Sequence, residues 1–275
     1  MTLGRIEDRF AALAADDRAG FVAYVMAGDP DAEISLAILC GLAGAGADVL
    51  EVGVPFSDPM AEGPPIQRAA TRALGAGMTL QGVLDIVRRF RESDAATPVV
   101  LMGYLNPLVS FGLEVFAREA AICGVDGVIV VDCPPEEAGP LADAMERERL
   151  ALIRLATPTT DAPRLAVIAR RTAGFVYYIS VAGVTGDKSA DAAAIAPAVA
   201  KVRAACGLPV AVGFGIREPA QAAEVARIAE AVVVGSALVD AVAEALAQNR
   251  DPVAKVVETA RALIKSVRSA RREPI

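Results

Sequence analysis

Residues 48–63, DVLEVGVPFSDPMAEG, place a carboxylate in the middle of an apolar strand pattern that then breaks into a turn-rich acidic loop. Side chains on a strand alternate between two faces, so Val49, Glu51 and Gly53 share one face. An ionised carboxylate in a buried strand is costly unless it is paired or used, and buried glutamates are rare. The pattern therefore predicts that Glu51 is a general acid or base beside a pocket that Gly53 leaves open. The alternative is a structural glutamate paired with an arginine or lysine.

Apolar runs of this kind recur eight times, and an alanine-rich amphipathic stretch follows each of them. Because the runs are apolar throughout, they are typical of parallel strands that are covered on both faces. They occupy residues 21–27, 49–54, 98–104, 127–132, 151–157, 175–181, 209–214 and 231–235. The predicted helices include residues 32–45, 80–89, 113–123, 136–148, 162–171, 192–205, 219–229 and 252–268.

Strict alternation of strand and helix, repeated eight times, predicts a single (β/α)8 TIM barrel domain over residues 1–275. A doubly wound open sheet is the alternative. It is disfavoured because no G-x-G-x-x-G pattern follows the first strand.

The composition excludes several classes of function. The chain has 275 residues, 54% of them hydrophobic, and no run is long and apolar enough to predict a membrane span. A net charge of −7 argues against nucleic-acid and anionic-membrane partners. The four cysteines are scattered, which favours reduced thiols and a cytoplasmic location. The chain has no histidine, so proton transfer falls to other side chains and no metal site is expected.

Glycine and hydroxyl residues cluster where the predicted strands end, which is the rim that carries the active site in such barrels. Strand seven ends at Gly213-Phe214-Gly215, and strand eight ends at Gly235-Ser236. Glycines allow backbone N–H groups to approach an anion, and a helix beginning near Ser236 would direct its positive end there. These strand ends predict a phosphate site. The loop of residues 182–189, after strand six, is predicted to be a mobile lid.

The segments YVMAGDP, LEVGVPFSDPMAEGPPIQRA, YYISVAGVTG, VGFGI and VVVGSAL, taken in order, resemble the α subunit of tryptophan synthase. The resemblance extends along nearly the whole chain. It implies a (β/α)8 barrel that cleaves indole-3-glycerol phosphate to indole and glyceraldehyde 3-phosphate. It also implies a β-subunit partner in an α2β2 complex. Pyridoxal phosphate belongs to that partner, which receives the indole, and no cofactor is expected in this chain.

The resemblance also implies roles for individual residues. Glu51 and Glu62 match the two catalytic carboxylates, and Thr185 matches a lid threonine. The indole pocket would be lined by Tyr24, Met102, Tyr104, Ile129, Tyr177 and Phe214. The phosphate contacts would be Gly186, Phe214, Gly215, Gly235 and Ser236. The contacts with the β subunit would include Pro55, Phe56, Asp58, Pro59, Asn106 and Pro134.

One departure from the family pattern leaves the activity open. Glu62 is one methylene longer than the usual loop aspartate, so either the loop is shifted to suit it or cleavage is weakened. A weakened α-like subunit that binds ligand and regulates its β partner is therefore the alternative function. A different phosphate-binding barrel, such as an isomerase of amino-acid biosynthesis, is a third interpretation, disfavoured by the PFSDP loop.

Overall fold

The computed structural model describes residues 4–180, 192–213 and 215–270. Eight parallel strands form a closed barrel in which each strand pairs with the next and β8 returns to β1. The predicted fold class is therefore confirmed. The strands are β1 Gly20–Met26, β2 Val49–Gly53, β3 Val99–Gly103, β4 Gly127–Val130, β5 Ala151–Ala156, β6 Val176–Ile179, β7 Val210–Gly213 and β8 Ala231–Val234.

The helices form the outer layer of the barrel, and several of them begin at an acidic or threonine cap whose side chain accepts a backbone N–H. Asp31, Thr79 and Asp161 accept backbone N–H groups of the first turns of α2, α4 and α8. The helices are α1 Gly4–Ala15, α2 Ala32–Ala45, α3 Pro64–Gly75, α4 Leu80–Arg91, α5 Leu105–Phe111, α6 Leu113–Cys123, α7 Gly139–Arg147, α8 Ala162–Ala169, α9 Ala192–Cys206, α10 Pro219–Ala226, α11 Ser236–Ala247 and α12 Pro252–Ser269.

Helix α1 closes the amino-terminal end of the barrel. Its buried residues Ile6, Phe10 and Leu13 belong to the same apolar cluster as the inward-facing strand residues. The ring of Phe10 packs against that of Phe175, with centroids 5.5 Å apart. The inward-facing strand residues of this cluster include Val22, Val49, Val100, Ile129, Ile153, Tyr177, Ala211 and Val233.

Three acidic residues, each immediately before an even-numbered strand, fix the amino-terminal end of the sheet. Asp48 accepts the N–H of Phe21 at 2.9 Å, Asp126 that of Val99 at 2.8 Å, and Glu230 that of Val210 at 2.9 Å. Each carboxylate is also paired with arginine. The arginines are Arg9 and Arg18 for Asp48, Arg5 and Arg91 for Asp126, and Arg203 for Glu230. The catalytic rim lies at the opposite, carboxyl-terminal end.

Candidate active site

Glu51 lies at the middle of β2, facing the barrel interior, and is 1% exposed. Within the described part of the chain, neither of its carboxyl oxygens has a hydrogen-bond partner. The alternative of a structural salt bridge to an arginine or lysine is therefore wrong for the described residues. Burial, together with the charge of Glu62, raises the pKa of Glu51 to about 8. A carboxyl group with such a pKa is protonated at neutral pH and can act as an acid.

Glu62 lies on the loop that follows β2 and lines the same cavity as Glu51. Burial raises the pKa of its carboxyl group to about 7. The loop backbone is held in place, because the Ala61 N–H donates to the Tyr104 hydroxyl at 2.9 Å and the Gln67 side chain donates to the Glu62 carbonyl at 2.9 Å. The two carboxyl groups are close enough for the charge of one to affect the other.

The cavity at the carboxyl-terminal end of the barrel brings together most of the predicted site residues. Tyr24, Glu51, Glu62, Met102, Tyr177, Gly215, Gly235 and Ser236 all line it. Two predicted residues do not. Tyr104 instead holds the β2 loop through its hydroxyl, and Ile129 lies in the apolar interior cluster rather than in the cavity lining. On this side the described lining consists of Met102 of β3 and Val131, the residue after β4.

Seven lining residues were not predicted. Val131 and Ile179 each follow a predicted residue by two positions, so strand alternation could have identified them. The lining residues that the sequence did not indicate are Ala61, Ile66, Val131, Leu155, Ile179, Ile216 and Val233. The apolar members form a surface suited to an aromatic ring, and the two glutamates form its polar part.

Two glycines make room for tyrosine hydroxyls in the cavity. A Cβ atom at Gly53 would collide with the Tyr24 hydroxyl, and one at Gly213 would collide with the Tyr177 hydroxyl. Burial, together with the nearby charges of Glu51 and Glu62, raises the pKa of both tyrosines well above the ordinary value of 10.0. Both phenols therefore remain protonated and can donate hydrogen bonds.

The opposite wall of the cavity has the features of an anion site. Gly215 has φ of +75°, a conformation that favours glycine, and it lies two residues beyond the end of β7. Helix α11 begins at Ser236 with Gly235 as its N-cap. The first N–H groups of a helix have no intrahelical partner, and the helix dipole favours negative charge there. The 12-residue helix α11 therefore directs its amino end toward the cavity.

The remaining predicted residues are those outside the described part of the chain and those expected to contact a β subunit. Thr185, Gly186, Phe214 and the predicted lid of residues 182–189 fall outside the described residues. Of the residues expected to contact a β subunit, Pro55 is buried in the isolated chain. The others are at least partly exposed, namely Phe56, Asp58, Pro59, Asn106 and Pro134.

The described residues show neither a metal-binding cluster nor a membrane-spanning helix. Residues 4–180, 192–213 and 215–270 contain no group of three or more cysteine and acidic side chains that could hold a metal ion. In the same ranges, no helix is long and apolar enough to cross a membrane.

Comparison with known proteins agrees with this geometry. Residues 10–268 match the family model described as tryptophan synthase alpha chain. The tryptophan synthase alpha chain of Phenylobacterium zucineum is 67% identical over 272 residues, covering 99% of this chain and 98% of that protein. The corresponding protein of Gluconacetobacter diazotrophicus is 52% identical, covering 98% of this chain and 100% of that protein.

Solved structures give the same result. Tryptophan synthase subunit alpha from Legionella pneumophila is 40% identical with a TM-score of 0.90, covering 96% of this chain and 98% of that chain. A chain of Mycobacterium tuberculosis tryptophan synthase is 37% identical with a TM-score of 0.87, with the same coverage. The interpretation as an unrelated phosphate-binding isomerase is therefore wrong. The chain belongs to the tryptophan synthase alpha chain family, and it is a lyase of tryptophan biosynthesis that cleaves indole-3-glycerol phosphate.

Proposed function

We propose that Glu51 and Glu62 divide the chemistry of the retro-aldol cleavage between them. Breaking the bond between indole C3 and the glycerol carbon requires a proton at C3 and removal of a proton from the adjacent glycerol hydroxyl. Glu51 is assigned both transfers, because a carboxyl group with a pKa of about 8 delivers a proton near neutral pH and recovers one afterwards. The observation that carries this assignment is a buried carboxyl group with no hydrogen-bond partner among the described residues.

Glu62 is assigned the second role, which requires an ionised carboxylate. Positive charge spreads onto the indole ring as C3 gains its proton, and a carboxylate that accepts the indole N–H stabilises that charge. The pKa of Glu62, about 7, lies below that of Glu51, about 8. At a pH between these two pKa values, the pair carries one proton, which Glu51 holds. The reaction needs this arrangement of a protonated Glu51 and an ionised Glu62.

The remaining contacts hold the substrate in register. We assign the phosphate to Gly215, Gly235 and Ser236, and the indole ring to Tyr24, Met102 and Tyr177. Binding energy from the phosphate end then serves the reacting centre at the other end. Gly186, Phe214 and the lid residue Thr185 remain proposals based on the family pattern. The hydroxyl groups of Tyr24 and Tyr177 remain available to orient the two carboxylates.

We also propose the setting in which the chain works. A tryptophan synthase alpha chain implies a β-subunit partner. An α2β2 complex in the cytoplasm, with pyridoxal phosphate held by the β subunit, is the assembly proposed here. The whole chain, residues 1–275, would serve in it as one barrel domain. The indole would pass from the cavity to that partner.

A cleavage assay tests the proposed activity and its dependence on the β subunit. Purified protein is mixed with indole-3-glycerol phosphate, and release of glyceraldehyde 3-phosphate is followed with and without added β subunit. Release is expected in both conditions and faster with the β subunit. Absence of release in both conditions, with the β subunit still activated, would support the weakened regulatory subunit instead.

A further inference from the structure

A second cavity lies beside the catalytic one, at the carboxyl ends of β4 and β5. Its volume is about 500 Å³, and it is bounded by the ends of those strands, the segment after β4 and the start of α8. Arg154 of β5 lines it. Because Ile153 belongs to the interior cluster and Leu155 packs against it, the alternation of the strand directs Arg154 outward, away from the catalytic cavity.

Arg154 is a buried cation with no salt-bridge partner among the described residues. Its side chain is 8% exposed, and its Nε has no hydrogen-bond partner among the residues described. Glu136, whose charge acts on Arg154, is already bound by Arg164. A buried guanidinium group is expensive unless charge and hydrogen bonds compensate for it. Burial lowers the pKa of Arg154; Cys133 and Glu136 partly oppose this effect, and the nearby Arg171 and Arg164 add to it.

Three threonine hydroxyls line the same cavity. Thr157 Oγ1 lies 2.9 Å from Thr159 Oγ1 and 3.2 Å from Thr160 Oγ1. Two hydrogen bonds among three hydroxyls use two of their protons, so one proton is left to donate. Thr159 is exposed, so the cavity is open to solvent on this side. Asp132 also lines the cavity, but its Oδ1 accepts the Leu105 N–H at 2.8 Å.

We propose that this cavity binds the phosphate group of a small molecule, through the Arg154 guanidinium and the threonine hydroxyls. A guanidinium group presents paired N–H donors that match a phosphate, and such charge-assisted bonds are stronger than neutral ones. Arg164, at the start of α8, also lines the cavity and adds positive charge. Phosphate binding here would compensate the buried charge that the protein leaves unpaired.

The test must separate this cavity from the catalytic one, because Val131 and Leu155 line both. The background is therefore Ser236→Asp, which places a carboxylate at the amino end of α11 and repels anions from the substrate phosphate site. In this background, inorganic phosphate is titrated by calorimetry and by thermal unfolding. We expect saturable binding and a rise in Tm with phosphate concentration.

Adding Arg154→Met should weaken phosphate binding by at least roughly tenfold and remove the rise in Tm. Without phosphate this variant should be no less stable than its parent, since methionine replaces a buried unpaired charge. Arg118→Met removes the same charge from a side chain that is 58% exposed on α6, and it should change nothing.

A soak of wild-type crystals in selenate, followed by anomalous diffraction, gives an independent result. A peak beside the Arg154 guanidinium is expected. Equal phosphate affinity with methionine or arginine at position 154, or a cavity that holds no selenate, would overturn the proposal.

Discussion

Glu51 is the residue on which most of the proposed chemistry depends, and its burial has a cost as well as a use. The folded state holds the proton more tightly than the unfolded chain, because burial raises the pKa from its ordinary value of 4.5 to about 8. The native protein therefore loses stability as pH rises from 4.5 to about 8, and the loss levels off above that range. An amide at this position would avoid the penalty.

Glu51→Gln should lower kcat by roughly 100- to 10,000-fold, because the amide cannot exchange a proton with the substrate. Above pH 8, the free energy of unfolding of the same variant should exceed that of the wild type by a few kcal/mol. This difference should shrink as pH falls toward 4.5. Cleavage assays and urea denaturation at several pH values measure the two effects. A variant that is both active and no more stable would contradict the role given to Glu51.

The pair of carboxyl groups predicts a pH profile. The rate should be greatest between about 7 and about 8, where Glu62 is ionised and Glu51 is protonated. It should fall at lower pH as Glu62 gains a proton, and at higher pH as Glu51 loses one. The measurement is kcat/KM for glyceraldehyde 3-phosphate release, and in Glu62→Gln the acidic limb should disappear. A rate that falls neither below about pH 7 nor above about pH 8 would rule out the assignment.

Glu62→Asp tests whether the loop is adapted to the longer side chain. The loop backbone is held by Tyr104 and Gln67, so an aspartate cannot move forward to recover the lost methylene. We expect kcat to fall by roughly 10- to 100-fold, because a carboxylate displaced by about 1 Å is misplaced for catalysis. The cleavage assay with saturating substrate measures it. A faster variant would show that glutamate had weakened the enzyme.

At the scale of elements, the barrel could be predicted from sequence more fully than its helices. The eight apolar runs correspond to the eight strands, but the observed strands mostly end one or two residues earlier, where glycine and polar residues begin the loops. Helices α2 and α6 have the predicted bounds. Helices α1, α3 and α5 were not predicted, because the eightfold alternation of strand and helix has no place for an extra helix before β1 or for a second one after β2 or β3.

The acidic residues before the even-numbered strands were also missed, since a charged residue at a strand end resembles ordinary loop composition. Their importance can be measured at Asp126, whose side chain is 7% exposed and is shared by Arg5, Arg91 and the Val99 N–H. Asp126→Ala should destabilise the fold by on the order of 3 kcal/mol, because it leaves a buried N–H group and two cations without their acceptor.

Denaturant unfolding of Asp126→Ala and of Asp85→Ala, compared with the wild type, provides the matched test. Asp85 forms an exposed pair with Arg88 at 2.8 Å, and its loss should cost less than about 0.5 kcal/mol. Equal effects of the two substitutions would mean that the amino-terminal carboxylates do not hold the sheet together.

At the scale of the whole molecule, the sequence located the cavity at the correct end of the barrel and identified eight of its described lining residues. Motifs could identify Glu51, Glu62 and the glycine ends because their chemistry is unusual in a strand or at a rim. The apolar lining residues could not be distinguished from core residues by sequence, since Leu155 and Ile216 are of the same residue types as the core. Nor could the sequence show that Gly53 and Gly213 accommodate two tyrosine hydroxyls.

The outer surface of the rim allows a prediction about assembly. Met60, on the loop after β2, is 82% exposed, and Val109 of α5 is 54% exposed, beside residues expected to contact the β subunit. Met60→Glu should weaken association with the β subunit by at least roughly tenfold, because it places a charge in an apolar contact. Ile122→Glu, on α6 and 69% exposed, is the control and should leave the affinity unchanged. Calorimetry with purified β subunit measures both.

The plug formed by Ile6, Phe10 and Leu13 decides which way a freed product can travel. Among the described residues, α1 fills the amino-terminal end of the barrel, so the opening through which indole can leave lies at the carboxyl-terminal rim. Any channel toward a second active site has to start from that opening. A partner bound over that opening would enclose the cavity. Docking of the partner would then also retain the volatile intermediate.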